Sequence, residues 1–502
     1  MDRSLLADGG EELHRVAIIG AGWSGLQCAH NLKQRGIKAD IFDKNTVVGG
    51  TWSPEMSYRN LALHSARWLN QMTLSSNEFL PFPEGEDGYM NERADASEML
   101  QYLKDFVSKC DLQPQIQSCS IVKEVHYDST SRLAFLVVEQ DSSTKRVGPY
   151  NLVVFASLSG MKRMPDIPNR GFSGKLLHSS QLKADTMTDI ISSHSKVLII
   201  GAAKSGCDMV EAFQREGYEN VTWLHRKSYW FFKYRAFFHH RSFLEKMRAV
   251  LFLACFMLFF VAPSVAMFTL WAIGYIVQPD GIPWPKHFDA KRFHFGIIDD
   301  RTVAFVRKLK PVIGDPDHFH KSGVVLKSGE TIDCDVIICA TGYDTGLESI
   351  QCIKDGKPHV VTDCPLYEHA IVPRFPCLLS APTAFYHFGP IRAVTLAEYV
   401  IHVLQRESLS EDEMERIASK NLCKQTPSTF MAYSSSRVFT RDWLWSFVDF
   451  WRTGLMSVSA FLEMAFGSFV THQYKPLRLN VKEPKLQSKS MGLFEVLIVC
   501  EL

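Results

Sequence analysis

The sequence predicts an α/β fold, because an apolar strand-like run leads twice into a glycine-rich turn followed by a helix-like stretch. The two βαβ units start near Val16 and Lys196 and are typical of Rossmann-like dinucleotide-binding domains. A third observation is a run of 29 residues without a charge, 249–277, which predicts a hydrophobic helical insertion. Residues 443–469 are rich in Trp, Phe, Met and Leu and predict an amphipathic, helical C-terminal region.

The composition is that of an ordinary globular protein without a nucleic-acid role. The chain has 502 residues, of which 55 are basic and 54 are acidic, so its formal charge is +1. A nucleic-acid-binding protein normally carries a basic excess, which this chain lacks. The twelve cysteines are scattered without C-x-x-C spacing, which predicts a reducing compartment and no metal site.

The first βαβ unit carries the turn Gly20-Ala-Gly22-Trp-Ser-Gly25 directly after its apolar run. The first glycine allows the turn, the second lets the backbone approach a pyrophosphate, and the third lets the helix pack against the strand. A second strand, 38–42, ends at Asp43, which lies 23 residues after Gly20. An acid at that distance accepts a ribose hydroxyl, so this unit is predicted to bind a dinucleotide.

The second βαβ unit carries Gly201-Ala-Ala203-Lys-Ser-Gly206, and its second strand, 220–224, runs into Arg226. A guanidinium holds a 2′-phosphate, which a carboxylate would repel, so this unit is predicted to bind NADPH and the first unit FAD. Ala203 departs from the pattern, because its methyl group sits where the backbone should approach phosphate. The alternative for Arg226 is a solvated charge at a strand end.

Four further segments accompany the two turns in a fixed order. They are Asn77-Glu-Phe-Leu-Pro-Phe-Pro83, Gly49-Gly50-Thr51-Trp52, Phe172-Ser-Gly174 with His178 and Leu182, and Ala340-Thr341-Gly342-Tyr343. Together the motifs resemble the flavin-containing monooxygenases, the class B flavoprotein monooxygenases, near their plant indole-pyruvate oxygenase-like branch. The resemblance extends from about residue 15 to residue 397.

The resemblance and the two turns together predict which residues contact each cofactor. For FAD they are Gly20, Ala21, Gly22, Trp23, Ser24, Gly25, Asp43, Lys44, Gly50, Thr51, Trp52, Ser65, Thr341 and Gly342. For NADPH they are Gly201, Ala203, Lys204, Ser205, Gly206, Cys207, Asp208, Arg226 and Lys227.

The resemblance implies an enzyme in which NADPH reduces FAD and O₂ adds to the flavin as a C4a-hydroperoxide. One oxygen atom then passes to a small apolar substrate, by N- or S-oxygenation or by oxidative decarboxylation of a 2-oxo acid. Most relatives place an asparagine beside the flavin, six residues after a tyrosine, whereas this chain has His64 six residues after Tyr58. His64 is therefore the candidate catalytic residue, with a merely packed histidine as the alternative.

Two other functions stay open at this point. The chain could be an NADPH-dependent flavin reductase that passes electrons to another acceptor, which would need a redox cysteine pair beside the flavin. It could also be a catalytically decayed, membrane-attached scaffold, for which Ala203, His64 and Leu182 are the only support. The sequence does not indicate the oligomeric state.

The predicted domains follow from the order of the motifs. Residues 1–165 and 325–425 are assigned to a discontinuous FAD-binding domain, and residues 166–324 to an NADPH-binding domain that contains the insertion 229–295. Residues 426–502 form the C-terminal helical region and tail. Within the first domain, residues 141–148 are expected to be the turn of a hairpin.

The uncharged run 249–277 exceeds the roughly 20 residues that cross a bilayer, but two crossings need about 40. A single crossing would place parts of one catalytic body on opposite sides of the membrane. Pro263 divides the run into halves, which predicts a one-sided helical hairpin in one leaflet. The protein would then lie on the cytoplasmic side of an intracellular membrane such as the endoplasmic reticulum; a pair of buried core helices is the alternative.

Overall fold

The protein is described by a computed structural model. The described residues are 14–63, 67–75, 78–84, 93–157, 161–226, 230–233, 295–298, 300–309, 311–344, 346–362, 364, 366–367, 370–380, 396–397, 399–401, 403–405 and 409–420. His64, Ser65, Lys227, the uncharged run 249–277 and the C-terminal region 426–502 lie outside them.

The described residues contain six α-helices and 24 strands, and long runs of strands follow one another without an α-helix between them. The α-helices are α1 (Trp23–Gln34), α2 (Ala96–Lys109), α3 (Ala184–Ser192), α4 (Lys204–Arg215), α5 (Asp300–Leu309) and α6 (Glu411–Lys420). The strands are β1 (Arg15–Ile19), β2 (Lys38–Phe42), β3 (Thr73–Ser75), β4 (Glu78–Phe79), β5 (Ile116–Gln117), β6 (Ile121–Asp128), β7 (Leu133–Gln140), β8 (Ser143–Tyr150), β9 (Leu152–Phe155), β10 (Met161–Lys162), β11 (Lys175–His178), β12 (Val197–Ile200), β13 (Val221–His225), β14 (Trp230–Lys233), β15 (Phe295–Ile298), β16 (Val312–Ile313), β17 (Pro316–His320), β18 (Gly323–Leu326), β19 (Thr331–Asp333), β20 (Val336–Cys339), β21 (Tyr343–Asp344), β22 (Gln351–Lys354), β23 (Lys357–His359) and β24 (Leu378–Ser380).

Two parallel sheets form the centre of the described structure. The first has the order β24-β9-β1-β2-β5 and the second the order β11-β20-β12-β13-β16. In each sheet a helix follows the strand that ends in the glycine turn, α1 after β1 and α4 after β12. This arrangement confirms the predicted α/β class with two Rossmann-like units. A third, largely antiparallel sheet, β23-β22-β6-β7-β8, packs beside the first.

Strand β20 corrects the predicted domain boundary. It pairs in parallel with β11 and β12 in the second sheet, with Val336 opposite Val197. Residues 325–425, which include β20, were predicted to belong to the first domain. The error arose because β20 is a short apolar strand without a glycine turn of its own, so nothing local indicates which sheet it completes.

The hairpin in the third sheet also differs from its prediction. Asp141 and Ser142 both have positive φ, 49° and 61°, and form a two-residue turn between β7 and β8. Residues 143–148, predicted as part of the turn, are therefore strand. Their polar composition reflects exposure, because β8 is an edge strand of the sheet with largely exposed side chains.

Two hydrophobic cores lie against the parallel sheets. The first is built on β1, β9, α1 and α2, and the second on β12, β13, β20 and α4. Trp52 packs against both cores, and Tyr58 is part of the second although it belongs to the first unit in sequence. Across the described part of the chain, we find no helix whose length and apolarity would let it cross a membrane.

Candidate functional site

The first glycine turn is shaped by two close approaches of the backbone. Gly20 has a φ of +113°, which favours glycine. A Cβ on Gly25 would lie 2.0 Å from the Gly20 carbonyl oxygen, so only glycine fits there. Gly22 has an ordinary φ of −81°, and a Cβ there would have Gly50 Cα, at 3.6 Å, as its nearest neighbour. The fold of the turn therefore requires glycine at positions 20 and 25. At position 22 the fold would accept a side chain, so the glycine there leaves space for a ligand.

The segment Gly49-Gly50-Thr51-Trp52 lies directly on this turn. The Gly49 amide donates to the Ala21 carbonyl at 2.9 Å. A Cβ on Gly50 would come within 3.0 Å of Gly22 Cα, so the two glycine segments touch through their backbones. The structure thus brings together two motifs that the sequence places about 25 residues apart.

Asp43 reaches the same turn from the end of β2. Its Oδ2 accepts the Ala21 amide at 2.5 Å and its Oδ1 accepts the Asn45 amide at 2.8 Å. Burial raises the pKa of Asp43, and these backbone amides act in the opposite direction. Each oxygen keeps lone-pair capacity for a ribose hydroxyl. The acid lies where the spacing argument predicts it.

The first unit fits a bound FAD. The N-terminus of α1 follows the turn directly, and Gly22 at its N-cap makes no side-chain hydrogen bond, so this helix end can accept an anionic group such as a pyrophosphate. Trp23 Nε1 is buried and has no hydrogen-bond partner among the described residues. Gly20, Gly22, Asp43 and Gly50 would hold the cofactor. Ser24 and Thr51 lie half-buried beside them, and Lys44 is exposed.

The second glycine turn repeats the geometry of the first. Gly201 has a φ of +117°, and a Cβ on it would lie 2.4 Å from the Ala340 carbonyl oxygen. A Cβ on Gly206 would lie 2.1 Å from the Gly201 carbonyl oxygen, which also accepts Trp223 Nε1 at 2.8 Å. Ala203 has an extended backbone, φ −76°, that any residue adopts. The methyl group of Ala203 is therefore compatible with the fold of the turn. We expect it to weaken only the approach of a bound phosphate.

Three predicted NADPH residues on α4 contact protein groups. The Lys204 ammonium pairs with Asp208, and burial lowers the pKa of Lys204. Asp208 is 1% exposed and accepts the Tyr58 hydroxyl at 2.7 Å. Cys207 lies in the second core, where burial raises the pKa of its thiol. Asp208 and Cys207 thus support the helix, whereas Gly201, Ala203 and Ser205 line the turn itself.

Arg226 is exposed directly after β13, as the 2′-phosphate prediction requires. Lys327, which ion-pairs with Asp315 at 2.7 Å, is close enough to Arg226 for the two charges to interact. The sequence analysis missed Lys327, because it follows a strand about 100 residues further along the chain. The end of β13 therefore offers the exposed Arg226 to an anionic group, with the Lys327–Asp315 ion pair nearby.

The linkers between the sheets meet at His178. Its Nε2 donates to the Gly342 carbonyl at 2.9 Å, and its Nδ1 accepts the Ser180 amide at 3.2 Å. Burial lowers the pKa of His178, so the ring is neutral in this tautomer. The Thr341 hydroxyl donates to the Arg163 carbonyl, and Arg163 Nε donates back to the Thr341 carbonyl at 3.1 Å. Thr341 and Gly342 thus hold the linker together.

The chain is similar in sequence to known flavin-dependent monooxygenases. Residues 13–241 match the model of the family described as flavin-binding monooxygenase-like. The chain is 27% identical over 227 residues to an FAD-dependent monooxygenase of Pyrenophora dematioidea, covering 43% of this chain and 40% of the relative, less than half of its length. It is 24% identical over 365 residues to the probable indole-3-pyruvate monooxygenase YUCCA8 of Arabidopsis thaliana, covering 69% of this chain and 80% of that protein.

Two further likenesses complete the comparison. Senecionine N-oxygenase of Tyria jacobaeae is 30% identical over 215 residues, which cover 39% of this chain and 43% of that enzyme. The structure of cyclohexanone monooxygenase from Rhodococcus sp. Phi1, bound to NADP⁺, matches 82% of this chain and 90% of its own chain with a TM-score of 0.55 and 16% identity. At that identity the structural likeness concerns the fold alone.

Proposed function

We propose that the chain is an FAD- and NADPH-dependent monooxygenase, on the premise that residues 13–241 match the flavin-binding monooxygenase-like family. It transfers one oxygen atom of O₂ to a small apolar molecule. The observation that carries this proposal is the pair of glycine turns, the first followed by a buried acid and the second by exposed Arg226. When bound, the cofactors supply the electron transfer and the oxygen chemistry.

The residues of the chain bind and orient the cofactors in this proposal. Gly22 and Gly50 admit the pyrophosphate of FAD, and Asp43 accepts a ribose hydroxyl. Arg226 selects NADPH through its 2′-phosphate. His64 lies outside the described residues, and its catalytic role stays a prediction from the sequence.

A disulfide reductase is the less favoured alternative. It would need a reactive thiol pair beside the flavin, and Cys334 and Cys339 have the most suitable spacing near the Ala340-Thr341-Gly342 segment. Both are buried, and burial raises the pKa of each thiol to about 12. Such thiols stay protonated at neutral pH and are poor nucleophiles.

The proposed substrates are O₂ and an apolar small molecule. N- or S-oxygenation and oxidative decarboxylation of a 2-oxo acid are the specific candidates; the likenesses to an N-oxygenase and to an indole-3-pyruvate monooxygenase support one candidate each. A product screen by mass spectrometry with ¹⁸O₂ distinguishes them, because only oxygenation adds one labelled atom without loss of carbon dioxide.

The function is tested by the visible spectrum of the purified protein. We expect flavin absorption, bleaching by NADPH without air, and a transient band of oxygenated flavin when O₂ is admitted. Reduction without that band would support the reductase. A protein that retains no flavin would support the decayed scaffold and contradict the proposal.

A further inference from the structure

The loop 54–63, here called the bridging loop, belongs to the first unit in sequence but is held by the second. Tyr58 and Leu61 are 6% and 5% exposed and pack in the core of the second sheet. The Arg59 amide donates to the Leu182 carbonyl at 2.8 Å. These contacts attach the bridging loop of the first unit to the second unit.

Lys183 holds the opposite end of the bridging loop. Its ammonium donates to the carbonyls of Pro54 at 2.9 Å and Glu55 at 3.3 Å, and also to that of Ser57. Three carbonyl groups on one ammonium orient a loop more strictly than a single contact can. Lys183 follows the His178 linker, so the loop is tied to the segment that joins the two sheets.

A buried cluster of charges attaches this region to helix α4. The Tyr58 hydroxyl donates to Asp208 Oδ2 at 2.7 Å. Arg93 lies 3.5 Å from Asp208 Oδ1 and donates to Glu211 Oε2 at 3.0 Å. The Nε of the same guanidinium donates to the Leu63 carbonyl at 2.8 Å. Arg93 thus contacts the bridging loop and two carboxylates of α4 at once.

The charged cluster lies near the N-terminus of α4, next to the second glycine turn. Asp208 lies about one turn after the helix begins, and Ser205 of the glycine turn hydrogen-bonds Tyr58. Asp208 and Glu211 are 1% and 4% exposed. Removing one partner of such a buried pair leaves an uncompensated polar group, so these contacts stabilise the attachment of the loop to the helix.

We propose that Tyr58 and Arg93 of the first unit are positioning residues that hold α4 through Asp208 and so fix the distance between the two nucleotide sites. This inference rests on the proposed function. Hydride transfer from NADPH to FAD breaks a C–H bond on the nicotinamide and moves two electrons and a proton to the flavin. It requires the reacting atoms to approach to about 3–3.5 Å, and small displacements slow it strongly.

The test compares Tyr58→Phe with Tyr150→Phe in the FAD-loaded full chain. Tyr150 is another buried tyrosine, 1% exposed, whose hydroxyl donates to Asp40 at 3.0 Å within the first unit. Stopped-flow absorbance measures the rate of flavin reduction at saturating NADPH. Hydrogen exchange of the Arg59 and Leu63 amides reports the position of the bridging loop independently of activity.

We expect Tyr58→Phe to slow flavin reduction about tenfold and to speed exchange of those amides about tenfold, as the loss of one buried hydrogen bond would. Tyr150→Phe should match the wild type in both measurements. Asp208→Asn should slow reduction as well, and the double variant should be no slower than the slower single variant, because Asp208→Asn already weakens the contact that Tyr58→Phe removes.

Equal reduction and exchange rates in Tyr58→Phe and Tyr150→Phe would overturn the positioning role while leaving the proposed function intact. Additive effects of Tyr58→Phe and Asp208→Asn would also overturn it. A wild-type protein that binds FAD but is not reduced by NADPH would overturn both the proposed function and this inference.

Discussion

The three glycines of the first turn carry different constraints at the scale of single residues. Gly25 cannot be replaced by a larger residue, because a Cβ there would lie 2.0 Å from the Gly20 carbonyl oxygen. Gly22 has room and an ordinary backbone. The second unit already carries Ala203 at the position that corresponds to Gly22, which indicates that a methyl group there is compatible with folding.

Gly22→Ala and Gly25→Ala should therefore separate binding from folding. We expect Gly22→Ala to retain the wild-type stability while its dissociation constant for FAD rises about tenfold or more, equivalent to 1.4 kcal/mol or more. Gly25→Ala should lower the free energy of unfolding by about 3 kcal/mol, because backbone atoms have to move. Urea unfolding and flavin titration measure the two quantities; equal stability losses in both variants would contradict the assignment.

Arg226 tests the cofactor preference. Arg226→Gln removes a charge-assisted contact that only NADPH offers, so its KM for NADPH should rise about 10- to 100-fold while that for NADH stays within about twofold. Arg170→Gln, an exposed arginine on the linker before β11, is the control and should change neither. If Arg226→Gln weakens both cofactors equally, the arginine is a general surface charge rather than a phosphate ligand.

At the scale of elements, the glycine turns were predictable and their partners were not. A strand, a tight turn and a helix lie within about 20 residues, so the sequence alone places β1 with α1 and β12 with α4. Strand β20 has no such local signature, and its assignment to the second sheet depends on pairing with β12 about 140 residues earlier. Strand β8 was missed because its exposed side chains resemble those of a loop.

The end of β13 predicts a pH dependence of stability. His225 is fully buried against Trp223, with the ring centroids 4.4 Å apart, and burial lowers its pKa to about 4. An unfolded histidine has a pKa near 6.5. Between those values the unfolded chain binds the extra proton, so the contribution is complete above about pH 6.5 and is lost as the pH falls towards 4.

His225→Phe keeps an aromatic ring against Trp223 and removes the titration. Between pH 7.5 and pH 5 the wild type should lose about 2 kcal/mol more of its free energy of unfolding than this variant does. Urea midpoints at the two pH values measure the difference. His194→Asn changes an exposed histidine and should keep the wild-type pH dependence. Parallel losses in wild type and His225→Phe would contradict the role of burial.

At the scale of the whole molecule, the two nucleotide units are joined by side chains that the sequence could not pair. Tyr58 and Asp208 are 150 residues apart, and Arg93 stands in no recognisable motif. Spacing rules describe neighbours on one helix or strand, whereas these contacts depend on how two separately folded sheets come together. The glycine turns and Asp43 could thus be located from the sequence, whereas the contacts between the two units could not.

The strands on either side of the insertion bear on its topology. Strands β14 and β15 lie side by side in parallel, with Trp230 opposite Phe295, and α5 after them contacts α4 of the second unit. The described strands before and after the insertion therefore belong to one body. One-sided insertion of the uncharged run 249–277 into a membrane stays a prediction from the sequence.

We predict that the protein attaches to membranes through the uncharged run 249–277. A one-sided hairpin binds by apolar burial, so the full chain should float with anionic liposomes even at about 1 M salt, where surface electrostatics are screened. Phe252→Asp with Ile273→Asp, one charge in each half, should abolish flotation and leave flavin content and NADPH reduction unchanged. If the run instead forms buried core helices, the same charges would stand in an apolar interior, and the variant would lose flavin and aggregate. Release of the wild type by salt alone would also contradict insertion, since it would assign binding to the flanking basic residues.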